Sequence, residues 1–166
     1  LNGSDPNVPD WPAIQEPTEN PGTEAKRVLG KILFWDEQLS SDDTVACGTC
    51  HMGRAGGGDQ RLADVNPGLD GLVGTDDDIL GSPGVVHRDA AGNPINDPVF
   101  GLLPQVTRRN SPSIFVSMYG KELFLDGRAG ETFLDPFDGA TVLMATAAAL
   151  ESQAVAPILN SVEMSK

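Results

Sequence analysis

The chain has 166 residues, one domain's worth, and sets 24 acidic side chains against 11 basic ones for a formal net charge of −13. That balance argues against nucleic acid or an anionic membrane as a partner, both of which need a basic face, and there is no run of about 18 apolar residues to span a bilayer. Aromatic residues make up only 5% of the chain, while Gly 19 and Pro 13 punctuate the backbone. Such a sequence has few large side chains for a core and would gain from a bound apolar body.

In chain order, Pro6, Pro9, Pro12, Pro17 and Pro21 mark residues 1–22 as an irregular strap ahead of a domain spanning 23–166. Thr23 is placed to cap a helix with Glu24 in its first turn. Ala25, Val28, Leu29, Ile32 and Leu33 follow at helical spacing on one face, predicting a helix to about Trp35. Ser40 to Asp43 read as a polar turn, and a short helix from Thr44 carries the next motif.

That motif is Cys47-Gly48-Thr49-Cys50-His51, a C-x-x-C-H string, which is the attachment signature of c-type haem. Two thiols spaced by two residues match the separation of the haem vinyl groups, and the adjacent imidazole reaches the iron. A zinc site would need four ligands, and the chain has no second cysteine pair and only one other histidine, His87. A thioredoxin-like redox pair would want a βαβ setting, which the pattern does not supply. Covalent haem attachment takes place outside the cytoplasm, and a chain beginning at Leu1 fits a removed signal peptide, so a periplasmic or outer-surface location is expected. The first helix should pack against the haem region.

Residues 53–105 read mostly as loop, with Gly56-Gly57-Gly58 and an acidic stretch from Asp70 to Asp78. Asp76, Asp77 and Asp78, with Asp64 and Asn66 upstream, offer oxygen ligands for calcium, but EF-hand spacing is missing; a solvated acidic loop is the alternative. Ser111 and Pro112 suit the start of another helix, and 141–156 is the strongest helical run, closed by Pro157. Asn160 or Ser161 can start one more. The expected fold is mainly α, a cytochrome c-type haem domain with long irregular loops.

Several strings together resemble the bacterial di-haem cytochrome c peroxidases, a family that includes the enzyme maturing methylamine dehydrogenase. They are Leu29-Gly30-Lys31-Ile32-Leu33-Phe34 with Asp36 and Leu39-Ser40, then Gly56-Gly57-Gly58-Asp59 after the haem motif. Arg109-Asn110-Ser111-Pro112-Ser113 and Asp126-Gly127-Arg128-Ala129 follow, and the series ends with Gln153-Ala154, Pro157, Asn160 and Glu163-Met164. The resemblance runs from about residue 24 to 166 and covers the family's N-terminal, peroxide-reacting half. It implies one covalent haem c here and a second haem domain or chain that delivers electrons.

The resemblance also implies residue roles. His51 is the proximal iron ligand, Cys47 and Cys50 carry the haem, Glu163 is the acid–base group and Gln153 the pocket amide. Arg128 pairs with a haem propionate or, as a turn arginine, with Asp126. Asn110 helps bind calcium or caps a helix at Ser111. His87 is either a distal iron ligand or an ordinary loop histidine; Met52, Met118, Met144 and Met164 are alternative sulfur ligands. One departure stands out: where the family often has tryptophan before D-G-R, this chain has Leu125, and neither Trp11 nor Trp35 takes that place. An added segment, roughly 131–145, precedes the glutamine helix. The implied function is reduction of hydrogen peroxide to water, with a small cytochrome or cupredoxin as donor. The alternative is a mono-haem electron carrier with a six-coordinate iron.

Overall fold

The computed structural model describes residues 12–61 and 66–165. Trp11 and Asp64 lie outside the described residues, as do Pro6 and Pro9. Helix α1 (Glu24–Phe34) forms as its pattern predicts, with Thr23 Oγ1 accepting the Lys26 N–H at 3.2 Å and an Arg27–Glu24 pair on its first turn. It ends at Trp35, whose ring lies so close to Gly48 that no side chain would fit there. Yet α1 buries none of its residues: Val28, Leu29, Ile32 and Leu33 are all exposed. Helix α2 (Cys47–Cys50) is one turn long, and Thr49 Oγ1 accepts the Ala46 N–H at 2.9 Å to start it.

The domain is not mainly α. Among the described residues after α2, the α-helices are α3 (Ala149–Ala154) and α4 (Ala156–Leu159), each short. Two antiparallel strand pairs stand where loops or helix were expected: β1 (Pro83–Val86) with β2 (Pro104–Val106), and β3 (Phe133–Leu134) with β4 (Val142–Met144). The helix predicted over 141–156 therefore loses its first half. Thr141 and Val142 carry β-branched side chains, which lose χ1 freedom in a helix and suit a strand. The Asp135 N–H donates to the Thr141 carbonyl at 2.8 Å, closing a hairpin instead. Ala147 then takes φ +61°, a left-handed conformation that no helix propagates, so α3 starts only at Ala149.

No helix forms at Ser111 either. Ser111 Oγ lies 3.2 Å from Ser82 Oγ, and the Ser111 N–H donates to Ser82 Oγ at 3.2 Å, so the segment is tied sideways to the β1 region. The chain next turns helically, as a 3-10 turn, only at Ser117–Tyr119. The described residues within 53–105 are irregular apart from a 3-10 turn at Gly53–Ala55, β1, the start of β2 and isolated bridges.

The core is small and sits beside α2. Val45, Val85 and Met164 are buried together, with Leu39, Cys50 and Ile158 packed around them. Ser40, itself buried, organises its edge: its Oγ accepts the N–H groups of Thr44 and Val45 at 3.1 and 3.0 Å and donates to the Glu37 carbonyl at 2.9 Å. The irregular segment 12–22 is held to α3 by Asn20 Nδ2, which donates to Glu151 Oε1 at 3.0 Å.

Candidate haem site

Cys47 and Cys50 are three apart in α2, so both sulfurs leave the same face of the turn, and both thiols are free and half-buried. Burial pushes both thiols above their ordinary pKa; for Cys50 the Arg61 guanidinium opposes that rise. His51 follows at the end of the turn. Its Nδ1 lies 3.0 Å from the Gly57 carbonyl oxygen and 3.1 Å from that of Pro112. Two acceptors at Nδ1 place the ring proton there and leave Nε2 as the basic nitrogen. Gly57 can bring its carbonyl in because it adopts φ +83°, and an added Cβ would press on the Ile114 amide nitrogen at 2.9 Å. The residues present therefore suit haem c: two free thiols on one face and an imidazole already oriented through its far nitrogen.

Glu163 lies outside any helix, on a turn after α4. Asn160 clamps that turn. Its Nδ2 donates to Glu163 Oε1 at 3.0 Å, while its Oδ1 accepts the N–H groups of Val162 and Glu163 at 2.9 and 3.3 Å. Both sheet strands brace it as well. The Val85 N–H donates to the Val162 carbonyl at 3.1 Å, and Gln105 Nε2 donates to the Ser161 carbonyl at 2.8 Å. Met164 plugs the core next door, and its carbonyl takes the Ser41 N–H at 2.7 Å. Burial raises the Glu163 pKa, and electrostatic interaction with Arg128 and with the His51 ring pulls it partly back. Cys50 feels the Glu163 charge too, so this carboxylate shares one electrostatic neighbourhood with Cys50, His51 and Arg128.

Other expected residues sit elsewhere or in other company. Arg128 Nη1 donates to both oxygens of Asp126, at 2.9 and 3.0 Å, and its guanidinium lies 3.5 Å above the Phe124 ring. It is thus the partner of Asp126. Asn110 Oδ1 accepts Ser82 Oγ–H at 3.0 Å and the Ser111 N–H at 3.1 Å, and its Nδ2 reaches the Asp59 carbonyl at 3.4 Å. His87, just past β1, has Nδ1 3.1 Å from Asp97 Oδ2. Gln153 lies in α3, half-buried. Leu125 is fully exposed at the tip of its turn.

The acidic loop bonds to itself. Asp77 Oδ2 accepts the N–H groups of Leu69 and Asp70 at 2.7 and 3.1 Å, and Asp78 Oδ2 accepts that of Gly74 at 2.6 Å. Among the described residues, no three His, Cys, Asp or Glu side chains gather as a metal ion would require. No described helix is long and apolar enough to cross a membrane.

The sequence signals did not single out Asn160, Ser40, Gln105 or the Asp59–Arg61 pair as site-building residues. Asn160 was findable, since an Asn three residues before a Glu is placed to close an Asx-type turn on it. Gln105 was not, because its target is a backbone carbonyl 56 residues away.

A family model described as "Di-haem cytochrome c peroxidase" matches residues 24–166. The cytochrome c peroxidase Ccp of Escherichia coli K12 is 29% identical over 163 residues, covering 98% of this chain and 24% of that protein. The cytochrome c551 peroxidase of Pseudomonas aeruginosa is 28% identical over 151 residues, covering 91% of this chain and 28% of that protein. The methylamine utilization protein MauG of Methylophilus methylotrophus is 44% identical over a shorter stretch of 52 residues, 31% of this chain and 14% of that protein. The chain thus spans about a quarter of the length of the two peroxidases.

Proposed function

From the chain's membership of the di-haem cytochrome c peroxidase family, we propose that it holds one haem c and reduces hydrogen peroxide to water. The haem, when bound, supplies the electrons' entry point and the position at which peroxide is held. Cys47 and Cys50 would carry it by thioether bonds, and His51 would present Nε2 to the iron while Gly57 and Pro112 fix its ring. The carrying observation is Glu163: a carboxylate clamped by Asn160, raised in pKa by burial, and close enough to sense Cys50 and His51. A carboxyl with a raised pKa exchanges protons nearer neutral pH. Glu163 takes the proton from one peroxide oxygen and returns it to the leaving oxygen. The sum is one peroxide, two protons and two electrons to two waters.

The electrons would come from a second haem domain or chain, supplied by a small cytochrome or cupredoxin. A donor with a basic face would be steered by the net charge of −13. Covalent haem chemistry favours the periplasm. Calcium at Asn110, and His87 on the iron in a resting form from which it leaves before peroxide is held, are carried by the family resemblance alone. The test is stopped-flow peroxide reaction of the haem-loaded protein with and without Glu163→Gln. A fall of about 10²- to 10⁴-fold in rate is expected on loss of a general acid–base. Unchanged turnover removes Glu163 from the chemistry. The presence of one C-x-x-C-H keeps the electron-carrier reading in view; reduced protein that fails to bind carbon monoxide would select it.

A further inference from the structure

Asp59 and Arg61 have no part in the chemistry above, yet they form a largely buried ion pair beside the haem motif. The Asp59 side chain is completely buried and that of Arg61 is 30% exposed. Arg61 uses Nε and Nη2 on Asp59 Oδ1 and Oδ2 at 3.1 and 2.9 Å, a forked pairing, and its own N–H donates to Oδ1 at 2.7 Å. The same Nη2 lies 3.1 Å from Cys50 Sγ and donates to the Pro83 carbonyl at 2.9 Å. Taking a carboxylate wholly out of water costs several kcal/mol, and pairing commonly does no more than offset it. A buried pair is therefore a poor way to gain stability alone. What distinguishes this one is its place: the cation touches the sulfur that would join the haem, and the anion stands directly behind it.

We propose that Asp59 and Arg61 are positioning residues for the haem carried at Cys50. Arg61 fixes the Cys50 sulfur, and Asp59 cancels the guanidinium charge so that the reduction potential is set at a neutral rather than a cationic edge. The proposal rests on the haem reading of Cys47, Cys50 and His51, and not on peroxide as substrate. A group of fixed charge near the macrocycle edge shifts the potential by its sign: an unpaired cation disfavours the more positive oxidised iron, and an unpaired anion favours it.

The experiment is a spectroelectrochemical titration of the haem-loaded full chain and four variants. Asp59→Asn leaves the cation unpaired, and its potential should rise. Arg61→Gln leaves the anion unpaired, and its potential should fall. The double variant should return toward the parent, and Arg61→Lys should stay close to it. Equal-direction shifts in the two single variants, or no shift in either at parental haem content, would overturn the proposal. Should the single variants lose haem, recovery of haem in the uncharged double variant supports charge cancellation, and equal loss in the double variant refutes it. A parent chain that takes up no covalent haem sinks the haem reading itself, and this proposal with it.

Discussion

The His51 imidazole is joined through Nδ1 to the Pro112 carbonyl, 3.1 Å away and 61 residues further along the chain. That bond explains why Ser111-Pro112 does not start a helix. In an extended course the Pro112 carbonyl is free to face the ring, whereas a helix would turn it along the helix axis toward its own next turn. The second acceptor, Gly57, depends on a left-handed backbone. Gly57→Ala should therefore destabilise the chain by about 1–3 kcal/mol through strain. A urea melt gives the loss, and the His51 ring resonance should move in an NMR spectrum. An unchanged melt and resonance would show that the Gly57 carbonyl is not what orients the ring.

Asn160 should matter more than its exposure suggests. Asn160→Ala removes three hydrogen bonds of the Glu163 turn, each worth about 0.5–1.5 kcal/mol net. A stability loss of about 1–3 kcal/mol is expected, together with slower peroxide turnover. Asn160→Asp keeps the acceptor for the two N–H groups but sets a second carboxylate against Glu163. It should recover part of the stability and move the pH profile of turnover upward.

Glu163 has a folded pKa above its ordinary value of 4.5 because burial disfavours the anion. The group therefore costs nothing below pH 4.5 and destabilises progressively as pH rises through its folded pKa. Glu163→Gln does not titrate. The stability of this variant relative to the parent should be lowest below pH 4.5, rise with pH, and level off once the parental carboxyl is ionised. Denaturant melts across that range check the sign; a difference that falls with pH would contradict the burial of Glu163.

Phe124 sits at φ +69° with Arg128 stacked on its ring. Phe124→Gly loses the stacking, worth about 0.5–1 kcal/mol, but relieves backbone strain worth about 1–3 kcal/mol. Phe124→Ala loses the stacking and keeps the strain. The glycine variant should be the more stable of the two by about 1 kcal/mol in thermal or urea melts, and the reverse order would mean that the turn is not strained.

Gly84 faces the carbonyl of Val162 so closely that an added Cβ would overlap it. Because both partners are backbone, neither can swing away. Gly84→Ala should cost more than about 3 kcal/mol and loosen the Glu163 turn, whereas Gly92→Ala, with open space around it, should cost only its left-handed strain of about 1 kcal/mol.

Local patterns carried what is local. Thr23 capping α1, the short α2 under Cys47 and Cys50, and the long irregular run after His51 all follow from neighbours within a few residues. The strand pairs do not. Pro83 meets Val106 and Val86 meets Pro104, and no periodicity in so short a stretch announces that pairing. The helix-rich expectation failed at 141–148 because alanine propensity is weak beside a hairpin closed by Thr141 and a left-handed Ala147. For the site, the ordered strings named Cys47, Cys50, His51 and Glu163, of which the structure places Cys50, His51 and Glu163 in one electrostatic neighbourhood. Asn160 acts on its own turn and was legible there, whereas the supports Gln105 and Arg61 reach residues far along the chain and became visible only with coordinates.

The β3–β4 hairpin is tied to α3. The Ala148 N–H donates to the Glu131 carbonyl at 2.9 Å, and Ser152 Oγ donates to that of Thr132 at 3.1 Å. The Glu163 turn hangs instead from β1, β2 and Asn160. Gln153 and Glu163 therefore have separate mountings. Lengthening or shortening the hairpin tip around Phe137 acts first on the amide's support, and reaches the carboxylate's only through the contact of α3 with α4.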